Sequence, residues 1–201
     1  MSEAKYIDVT TGRVRLAYPY LLTPRAPMNG QGEPHYSACI LIPKTDVEGI
    51  KVLKQAIIDC AKSRWGDNAV ALIKAGRIRN PLRDGDVERE GNEDFAGHFF
   101  CNGRAGRKPR LVDESTREIT NPEDFTSGDY ARVFCALFPY QKAGNTGVGI
   151  GINGVQRWGR GKPIQGGANI AFEKIELAPE DVDLSGDGAA AGTPTDETDL
   201  I

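Results

Sequence analysis

Residues 130–160 constrain the fold more than any other part of the chain, because their pattern predicts two adjacent β-strands. The stretch is YARVFCALFPYQKAGNTGVGIGINGVQRWGR, and the side chains of a strand alternate between the two faces of a sheet. One face of the first strand then carries aromatic and basic side chains, with Ala136 as a gap: Tyr130, Arg132, Phe134, Phe138 and Tyr140. The other face carries Ala131, Val133, Cys135 and Leu137, which is typical of a strand that covers a core.

The two strands are predicted to form a hairpin that turns at Gly144 and Asn145, since Gly followed by Asn favours a tight turn. The resulting register places two rings opposite two glycines: Tyr140 opposite Gly149 and Phe138 opposite Gly151. Rings above strand glycines stabilise a sheet, which is a purely structural explanation. The same arrangement also leaves a flat platform on which a nucleic-acid base stacks. Both interpretations remain open at this point.

Short strands and many turns are predicted for the rest of the chain, which has 24 glycines and 12 prolines among 201 residues. Apolar runs predict strands at residues 13–20, stopping near Pro19, and at 36–42, 98–105, 111–112 and 169–177. Thr45 and Glu48 match a capping box, and apolar residues at helical spacing follow them as far as Gly66. A shorter helix is predicted at 69–75. The pattern indicates a mainly β domain with an inserted amphipathic helix.

Charge is distributed unevenly along the chain. Residues 179–201 contain seven acidic residues and no Lys or Arg. Removing these seven negative charges from the net charge of −3 leaves +4 for the remainder. The last stretch is poor in large apolar residues and is predicted to be a disordered acidic tail. A basic body with an acidic tail fits a protein that binds a polyanion.

Catalytic, metal and cofactor sites are not predicted. The chain lacks GxSxG, HExxH and GxxxxGK[ST] motifs, and its only two histidines, His35 and His98, are far apart. Its four cysteines have no zinc-ligand spacing, which indicates buried free thiols. We therefore expect a protein that is not an enzyme and needs no cofactor. The opening residues contain no signal-peptide pattern and no apolar run is long enough to span a membrane, so we expect a cytoplasmic location.

Two other patterns suggest small ligands. Residues 149–154 spell GxGxxG, but a dinucleotide site needs a helix that opens at the glycines, and VQRWGRGKP follows instead. Acidic residues between Asp84 and Asp94 do not have the spacing of a calcium loop and are predicted to form a solvated loop. A metal-dependent nuclease that uses these acids remains an alternative.

Basic residues cluster beside the predicted strands. Four of them fall within seven positions, at the end of the 98–105 strand and directly after it: Arg104, Arg107, Lys108 and Arg110. Trp158 lies between Arg157 and Arg160, and Lys142 lies near the hairpin turn. Guanidinium and ammonium groups beside exposed rings suit phosphate contact and base stacking, although a solvated basic loop or a tryptophan lid over the core is the alternative explanation.

Several sequence blocks together resemble one family. They are RVRLAYPYLLTPRA, NGQGEPHYSACILIPKTD, NPLRDGD, and NPEDFTSGDYARVFCALFPY followed by GVGIGINGVQRW. In this order they are similar to phage-encoded single-stranded-DNA-binding proteins built on an OB-fold. The resemblance implies a five-stranded barrel with an inserted helix, in a domain of residues 1–178 followed by the acidic tail 179–201. It also implies sequence-tolerant binding of single strands during phage DNA replication and recombination, in the cytoplasm of an infected bacterium.

The resemblance further implies that the tail modulates binding or recruits replication and recombination proteins. The candidate partner-binding residues form its tip: Asp196, Glu197, Asp199, Leu200 and Ile201. This tip departs from the aromatic terminus of many such proteins. A solubilising tail is the simpler alternative. A virion or assembly protein that uses the aromatic face as a subunit interface also remains an alternative, and sequence does not separate DNA binding from strand annealing or RNA binding.

Overall fold

A computed structural model describes residues 6–27, 30, 32–142 and 144–164. These residues form eight strands: β1 (Ile7–Thr10), β2 (Val14–Arg25), β3 (His35–Pro43), β4 (Arg83–Asp84), β5 (His98–Ala105), β6 (Arg110–Val112), β7 (Tyr130–Lys142) and β8 (Asn145–Gly159). They also form three α-helices: α1 (Val47–Trp65), α2 (Ala69–Lys74) and α3 (Gly85–Glu88). Short 3₁₀ turns lie at Gly66–Asn68 and Pro122–Asp124.

Five of the strands close into a barrel. Each of β2, β3, β5, β8 and β7 pairs with the next in this order, and β7 pairs back onto β2. All of these pairings are antiparallel except that between β5 and β8. The short strands β1 and β6 extend the sheet along β7 and β8, and β4 adds to β5. The predicted mainly β, five-stranded OB-type barrel with an inserted helix is confirmed.

The barrel interior is filled by apolar side chains that alternate with outward-facing ones along each strand. Val14, Ile40, Leu137 and Ile152 are fully or almost fully buried there, and each such side chain contributes about 1.5–3 kcal/mol relative to an exposed one. Helix α1 packs its buried face, which includes Ile57, against this core. The same alternation leaves the outward face of the strands available for a binding site.

The start of α1 differs in detail from the sequence prediction. The helix is capped by Asp46, whose side chain accepts a hydrogen bond from Gly49 N at 3.0 Å. The predicted capping box placed this function on Thr45, one residue earlier. Asp46 replaces it because a carboxylate three residues before a free backbone N–H is an equally effective cap.

Strand β2 runs beyond its predicted end at Pro19 and continues to Arg25. Its pairing with β3 is interrupted between Ala17 and Tyr20, and Tyr18 has a φ of 51° in this interruption. A proline is tolerated in a sheet at such an irregularity because its missing N–H is then not needed by the ladder. The strand therefore resumes at Tyr20 instead of ending.

The hairpin forms as predicted, but its register is shifted by two residues. Lys142 pairs with Asn145, so the connection between the strands is two residues long and ends at Gly144, which has a φ of 80°. The predicted turn at Gly144 and Asn145 is wrong because glycine occupies the second loop position, where its positive φ is accommodated. Tyr140 consequently lies opposite Gly147, and Phe138 lies opposite Gly149.

Three predictions concern residues that the structure does not describe. They are the strand at 169–177, the domain boundary at residue 178, and the acidic tail at 179–201. Within the described part of the chain, no helix combines the length and the hydropathy needed to cross a membrane.

Candidate nucleic-acid interface

One row of outward-facing residues crosses all five barrel strands in register. Tyr20 of β2 pairs with Ser37 of β3, which pairs with Arg104 of β5. Arg104 pairs with Gly151 of β8, which pairs with Ala136 of β7. Residues that pair across neighbouring strands direct their side chains to the same face. Arg104 therefore lies in the middle of a single surface, between a tyrosine on one side and the hairpin on the other.

This surface is concave. One depression of about 650 Å³ lies between β2, β3 and the β2–β3 loop, and Tyr20 and Arg25 line it. A second depression of about 820 Å³ lies between β8 and the segment that contains Arg79, and Phe138 and Tyr140 line it. Asn102 and Arg104 border both depressions. The two depressions adjoin at these residues, and we call them together the groove.

Glycines of β8 allow two hairpin rings to lie flat in the groove. An ideal Cβ atom at Gly149 would come within 2.5 Å of Cζ of Phe138, and one at Gly147 within 2.8 Å of the Tyr140 hydroxyl. Any larger residue at these positions would displace the rings. Both rings are half-buried, so part of each ring remains exposed to solvent. Tyr6 packs against Phe138 with ring centroids 6.0 Å apart and extends the aromatic surface beyond β7.

The groove contains basic side chains that have no acidic partner among the described residues. Arg104 and Arg79 are exposed and form no ion pair within that part of the chain. Arg25 stacks its guanidinium over the Tyr20 ring, 5.0 Å from the centroid. Arg83 differs, because it forms an ion pair with Glu88 at 3.4 Å. A guanidinium without an acidic partner is available for a phosphate.

Other predicted residues lie on the same face of the hairpin but outside the groove. Phe134 and Arg110 line a separate depression, and Arg132 lies over the Trp158 ring at 5.2 Å. Arg107 and Lys108 are exposed in the connection between β5 and β6, and Lys142 is exposed beside the hairpin turn. The structure thus separates the candidate residues into groups instead of gathering them in one place.

Three predicted residues are engaged in contacts within the protein. Arg160 forms an ion pair at 3.1 Å with Asp129, which is only 1% exposed, and also donates to the Glu123 carbonyl oxygen. Arg157 donates a 2.6 Å hydrogen bond to the Asp124 carbonyl oxygen. The Tyr130 ring lies under the Arg13 guanidinium, 4.0 Å from its centroid. The two arginine contacts hold the loop before β7 against the end of β8, and the Arg13 contact covers the Tyr130 ring at the start of β7.

Cysteine and tyrosine side chains near the groove are kept in their neutral forms. Burial raises the pKa of the Cys39 thiol, which borders the groove, to about 11. The pKa of the Tyr18 hydroxyl is also raised, first by burial and then by the charge of Asp94. Neither side chain therefore adds negative charge to the groove near neutral pH.

The acidic stretch from Asp84 to Asp94 begins at the end of β4 and is held by a lysine, and the predicted loop is wrong at Gly85–Glu88, which form α3. Lys44 Nζ lies 2.6 Å from Asp84 and 2.7 Å from Asp86. These hydrogen bonds raise the pKa of Lys44, and the one from Lys44 lowers the pKa of Asp86. Across the described ranges, acids, histidines and cysteines form no group of three that could hold a metal ion. Residues 149–154, which spell GxGxxG, lie within β8 and open no helix.

Sequence reasoning missed several groove residues. Tyr20 is the last residue of the predicted 13–20 strand and was not singled out, and Arg25 lies on the part of β2 that was predicted to be a loop. Arg79 follows α2 in an irregular segment, and its carbonyl oxygen accepts from Val148 N. Asn102 belongs to a correctly predicted strand, where the alternation that exposes Arg104 also exposes it. That alternation was the one signal that could have revealed a missed residue.

The fold and the groove define an OB-fold of the oligonucleotide-binding type, in which the second and third barrel strands and the loops 1–2 and 4–5 form the binding face. Here the groove crosses β3 and β5 and is flanked by the β2–β3 loop and the β7–β8 hairpin. A family model described as "Enterobacter phage Enc34, ssDNA-binding protein" matches residues 7–185. The chain belongs to this family.

The chain is also similar to individual proteins, at sequence identities below 30%. The chain is 28% identical over 175 residues to "Putative protein p50" of Acyrthosiphon pisum secondary endosymbiont phage 1, covering 85% of this chain and 93% of that protein. The single-stranded DNA-binding protein of bacteriophage Enc34, solved in complex with ssDNA, has a TM-score of 0.66 and 20% identity over 81% of this chain and 91% of that chain. Bacteriophage T7 gp2.5, a single-stranded DNA-binding protein, has a TM-score of 0.55 and 13% identity. This match covers 94% of this chain and 100% of that chain.

Proposed function

We propose that this protein binds single-stranded DNA in the groove, without preference for sequence and without a catalytic step. The observation that carries the proposal is the row of paired residues across the barrel, with Arg104 at its centre and half-buried rings lying over glycines beside it. The family to which the chain belongs, described as ssDNA-binding, supports the choice of ligand.

Two kinds of contact would hold the strand. Phe138 and Tyr140 offer ring faces to unpaired bases, and a stacked base contributes about 1–3 kcal/mol in proteins of this kind. Arg104 and Arg79 would contact phosphates, which gives binding that weakens as salt is added. Neither contact depends on the identity of a base, because every base has a stacking face and every nucleotide has a phosphate. The expected result is sequence-tolerant binding.

The geometry favours single strands over duplex. A ring lying on a sheet surface can stack only on a base whose face is free, and both faces of a base inside a duplex are covered by its neighbours. The groove residues reach outward from strands, and none of the described helices presents a row of basic residues to it. We therefore expect duplex DNA to bind through phosphate contacts alone, and more weakly.

The family's phage members suggest the setting in which the protein acts. We place it in the cytoplasm of an infected bacterium, where it would cover single strands during phage DNA replication and recombination. The acidic residues 179–201 would compete with DNA for the basic groove, and their tip would recruit partner proteins. The barrel of residues 1–178 would carry the DNA-binding activity.

Substitution of the groove rings tests the proposal. Phe138→Ala and Tyr140→Ala should each weaken binding of oligo-dT about fivefold or more, since one stacked base contributes about 1–3 kcal/mol. Affinity is measured by fluorescence anisotropy at fixed salt, and folding is checked by thermal denaturation. Val87→Ala removes an exposed apolar side chain from α3 and serves as the control. Unchanged affinity in both ring variants would remove these rings from the site.

Ligand choice is tested with the unmodified protein. Titration with poly-dT, poly-rA and duplex DNA at two salt concentrations should give tightest binding to the single strands, and each affinity should fall as salt rises. Equal affinity for duplex, or an affinity for poly-dT that salt does not alter, would contradict the stacking and phosphate contacts on which the proposal depends.

A further inference from the structure

A second aromatic surface lies on the outward face of the hairpin, beyond the groove. Four neighbouring strands contribute one residue each to its central row: Thr10 of β1 pairs with Phe134 of β7, which pairs with Gly154 of β8, which pairs with Arg110 of β6. Together with Arg132 and Trp158 this row forms a surface that we call the hairpin platform. The proposed DNA contacts in the groove do not use it.

The Phe134 ring is exposed where a core ring would be covered. It is 40% exposed and lies beside Gly154, where an added Cβ atom would be 3.7 Å from the ring. A depression of about 370 Å³ lies next to it, and Thr116, Asn153 and Gln156 line this depression together with Arg110. Neutral hydrogen-bonding side chains around an exposed ring can bond to the edge of a base that stacks on the ring.

A second exposed ring extends the platform. Trp158 is 49% exposed, and the guanidinium of Arg132 lies 5.2 Å from its ring centroid. Arg132 precedes Phe134 by two residues on β7, so its side chain lies on the same face. The guanidinium on the tryptophan has no acidic partner among the described residues. Ring and cation are thus combined as in surfaces that bind single-stranded nucleic acids.

A basic connection joins the groove to the platform. β5 ends just after Arg104 of the groove, and the chain then passes through exposed Arg107 and Lys108 to Arg110 of the platform. None of these four residues forms an ion pair within the part of the chain that the structure describes. Four unneutralised cations within seven positions make a continuous positive path between the two surfaces.

The hairpin itself joins the same two surfaces. Phe138 in the groove and Phe134 on the platform are four residues apart on β7, about 13 Å along the strand. Between them lie only the small residues Ala136 and Gly151, with Arg104 paired to Gly151. An extended strand can therefore pass from one ring to the other over an unobstructed surface, with an arginine beside its midpoint.

We propose that the hairpin platform is a second single-stranded-DNA subsite, which is occupied only by strands longer than the groove can hold. The inference rests on the proposed function, because it takes the groove as the first subsite. A protein partner fits the platform less well, since the cations, unpaired among the described residues, that continue from the platform into the groove suit a polyanion that follows both surfaces. The strand would continue from Phe138 past Arg104 to Phe134 and Trp158.

A length series of oligo-dT tests the second subsite. OB-folds cover about 4–16 nucleotides each. A series from about 4 to about 30 nucleotides should therefore include oligomers that fill only the groove and oligomers that also reach the platform. Phe134→Leu removes the ring and keeps an apolar side chain, which limits any effect on folding. This variant should bind the shortest oligomers like the unmodified protein and bind the longest about fivefold or more weakly. Val52→Ala, an exposed site on α1, is the control.

The outcomes separate this inference from the groove proposal. If Phe134→Leu binds every length like the unmodified protein, the second subsite does not exist, and the groove proposal is unaffected. If it weakens short and long oligomers equally, Phe134 belongs to a single undivided site and the inference is wrong. If Phe138→Ala and Tyr140→Ala both bind every length like the unmodified protein, these rings are not part of the site and the groove proposal is wrong. Altered self-association of Phe134→Leu in sedimentation, with DNA binding unchanged, would assign the platform to a protein contact.

The fluorescence of Trp158 gives an independent measure of DNA binding at the platform, without a substitution at Phe134. The chain has two tryptophans, Trp65 and Trp158, so a Trp65→Phe protein reports on the platform alone. Oligomers longer than the groove should quench its fluorescence as a base stacks near Trp158. Short oligomers should bind without quenching. Equal quenching by all lengths, or no quenching by any, would overturn the order in which the two subsites are filled.

Discussion

At the scale of single residues, the arginines of this chain divide according to their partners. Arg104 is exposed and unpaired among the described residues, whereas Arg160 holds an almost fully buried carboxylate and a backbone carbonyl oxygen. Both are basic residues close to aromatic ones in sequence, so the pattern treats them alike. The partner decides their role, because a guanidinium already bound to a buried carboxylate is not available for a phosphate.

Substituting these two arginines should separate DNA affinity from stability. Arg104→Ala should weaken binding of all single strands by a similar factor and reduce the slope of log affinity against log salt by about 1. Its thermal stability should be unchanged. Arg160→Ala leaves the Asp129 carboxylate without its cation and should lower the free energy of unfolding by about 1–3 kcal/mol.

Salt-dependent anisotropy and chemical denaturation of both variants provide the measurements. A destabilised Arg104→Ala protein with normal affinity would show that Arg104 is structural. A fully stable Arg160→Ala protein with weak DNA binding would place Arg160 in the interface instead. Either result would reverse the roles assigned from the contacts.

The partners of these arginines explain why this part of the candidate site was not predicted from sequence. Asp129 precedes Arg160 by 31 residues, and the Asp124 carbonyl that binds Arg157 is 33 residues away. Only the closed hairpin brings them together. By contrast, the exposure of Arg104 follows from the alternation within one strand, so it was predictable. The alternation within one strand can be recognised from the local sequence, but the partner that a side chain meets 31 or 33 residues away cannot.

At the scale of elements, the hairpin face was predicted correctly although its register was not. The turn lies one residue earlier than expected, which shifts the pairs between Cys135 and Lys142 by two residues, and a bulge changes the offset of the pairs before Cys135. Because side chains alternate with a period of two, a shift of two leaves every side chain on its predicted face. Glycines recur at every second position, at Gly147, Gly149 and Gly151, so the Phe138 and Tyr140 rings still lie opposite glycines. The extension of β2 to Arg25 was not predicted, because the irregularity at Tyr18 allows the strand to continue past Pro19.

The glycine beneath Phe138 gives a test of the hairpin surface. Gly149→Ala places a Cβ atom 2.5 Å from the Phe138 ring. The ring is partly exposed and can swing outward, so the substitution should disturb the groove more than the barrel. DNA affinity should fall about fivefold or more, as expected when one stacking contact is lost.

Gly159→Ala is the matched control on the same strand, since nothing lies within 4 Å of a Cβ atom there. It should leave both affinity for short oligo-dT and thermal stability unchanged. Anisotropy and thermal denaturation of the two variants provide the comparison. A Gly149→Ala protein that binds like the control would mean that the position of the Phe138 ring is unimportant for binding.

At the scale of the whole molecule, opposite charges are separated along the chain. The net charge is −3, and the seven acidic residues of 179–201 leave the rest of the chain at +4. As proposed above, these seven negative charges would raise the local concentration of anions that compete with DNA for the groove. Such competition is electrostatic, so it should be strong at low ionic strength and screened at high ionic strength.

Deletion of residues 179–201 should therefore strengthen binding of oligo-dT at low salt and have little effect above about 0.5 M salt, where the Debye length is only a few ångströms. A full-length variant in which the seven acids are replaced by Asn and Gln is the control for chain length. It should behave like the deletion, because the charge and not the chain is responsible. Anisotropy at several salt concentrations compares the three proteins. If the deletion binds no better at low salt, the tail does not compete for the groove; if only the deletion binds better, the tail acts by occupying space.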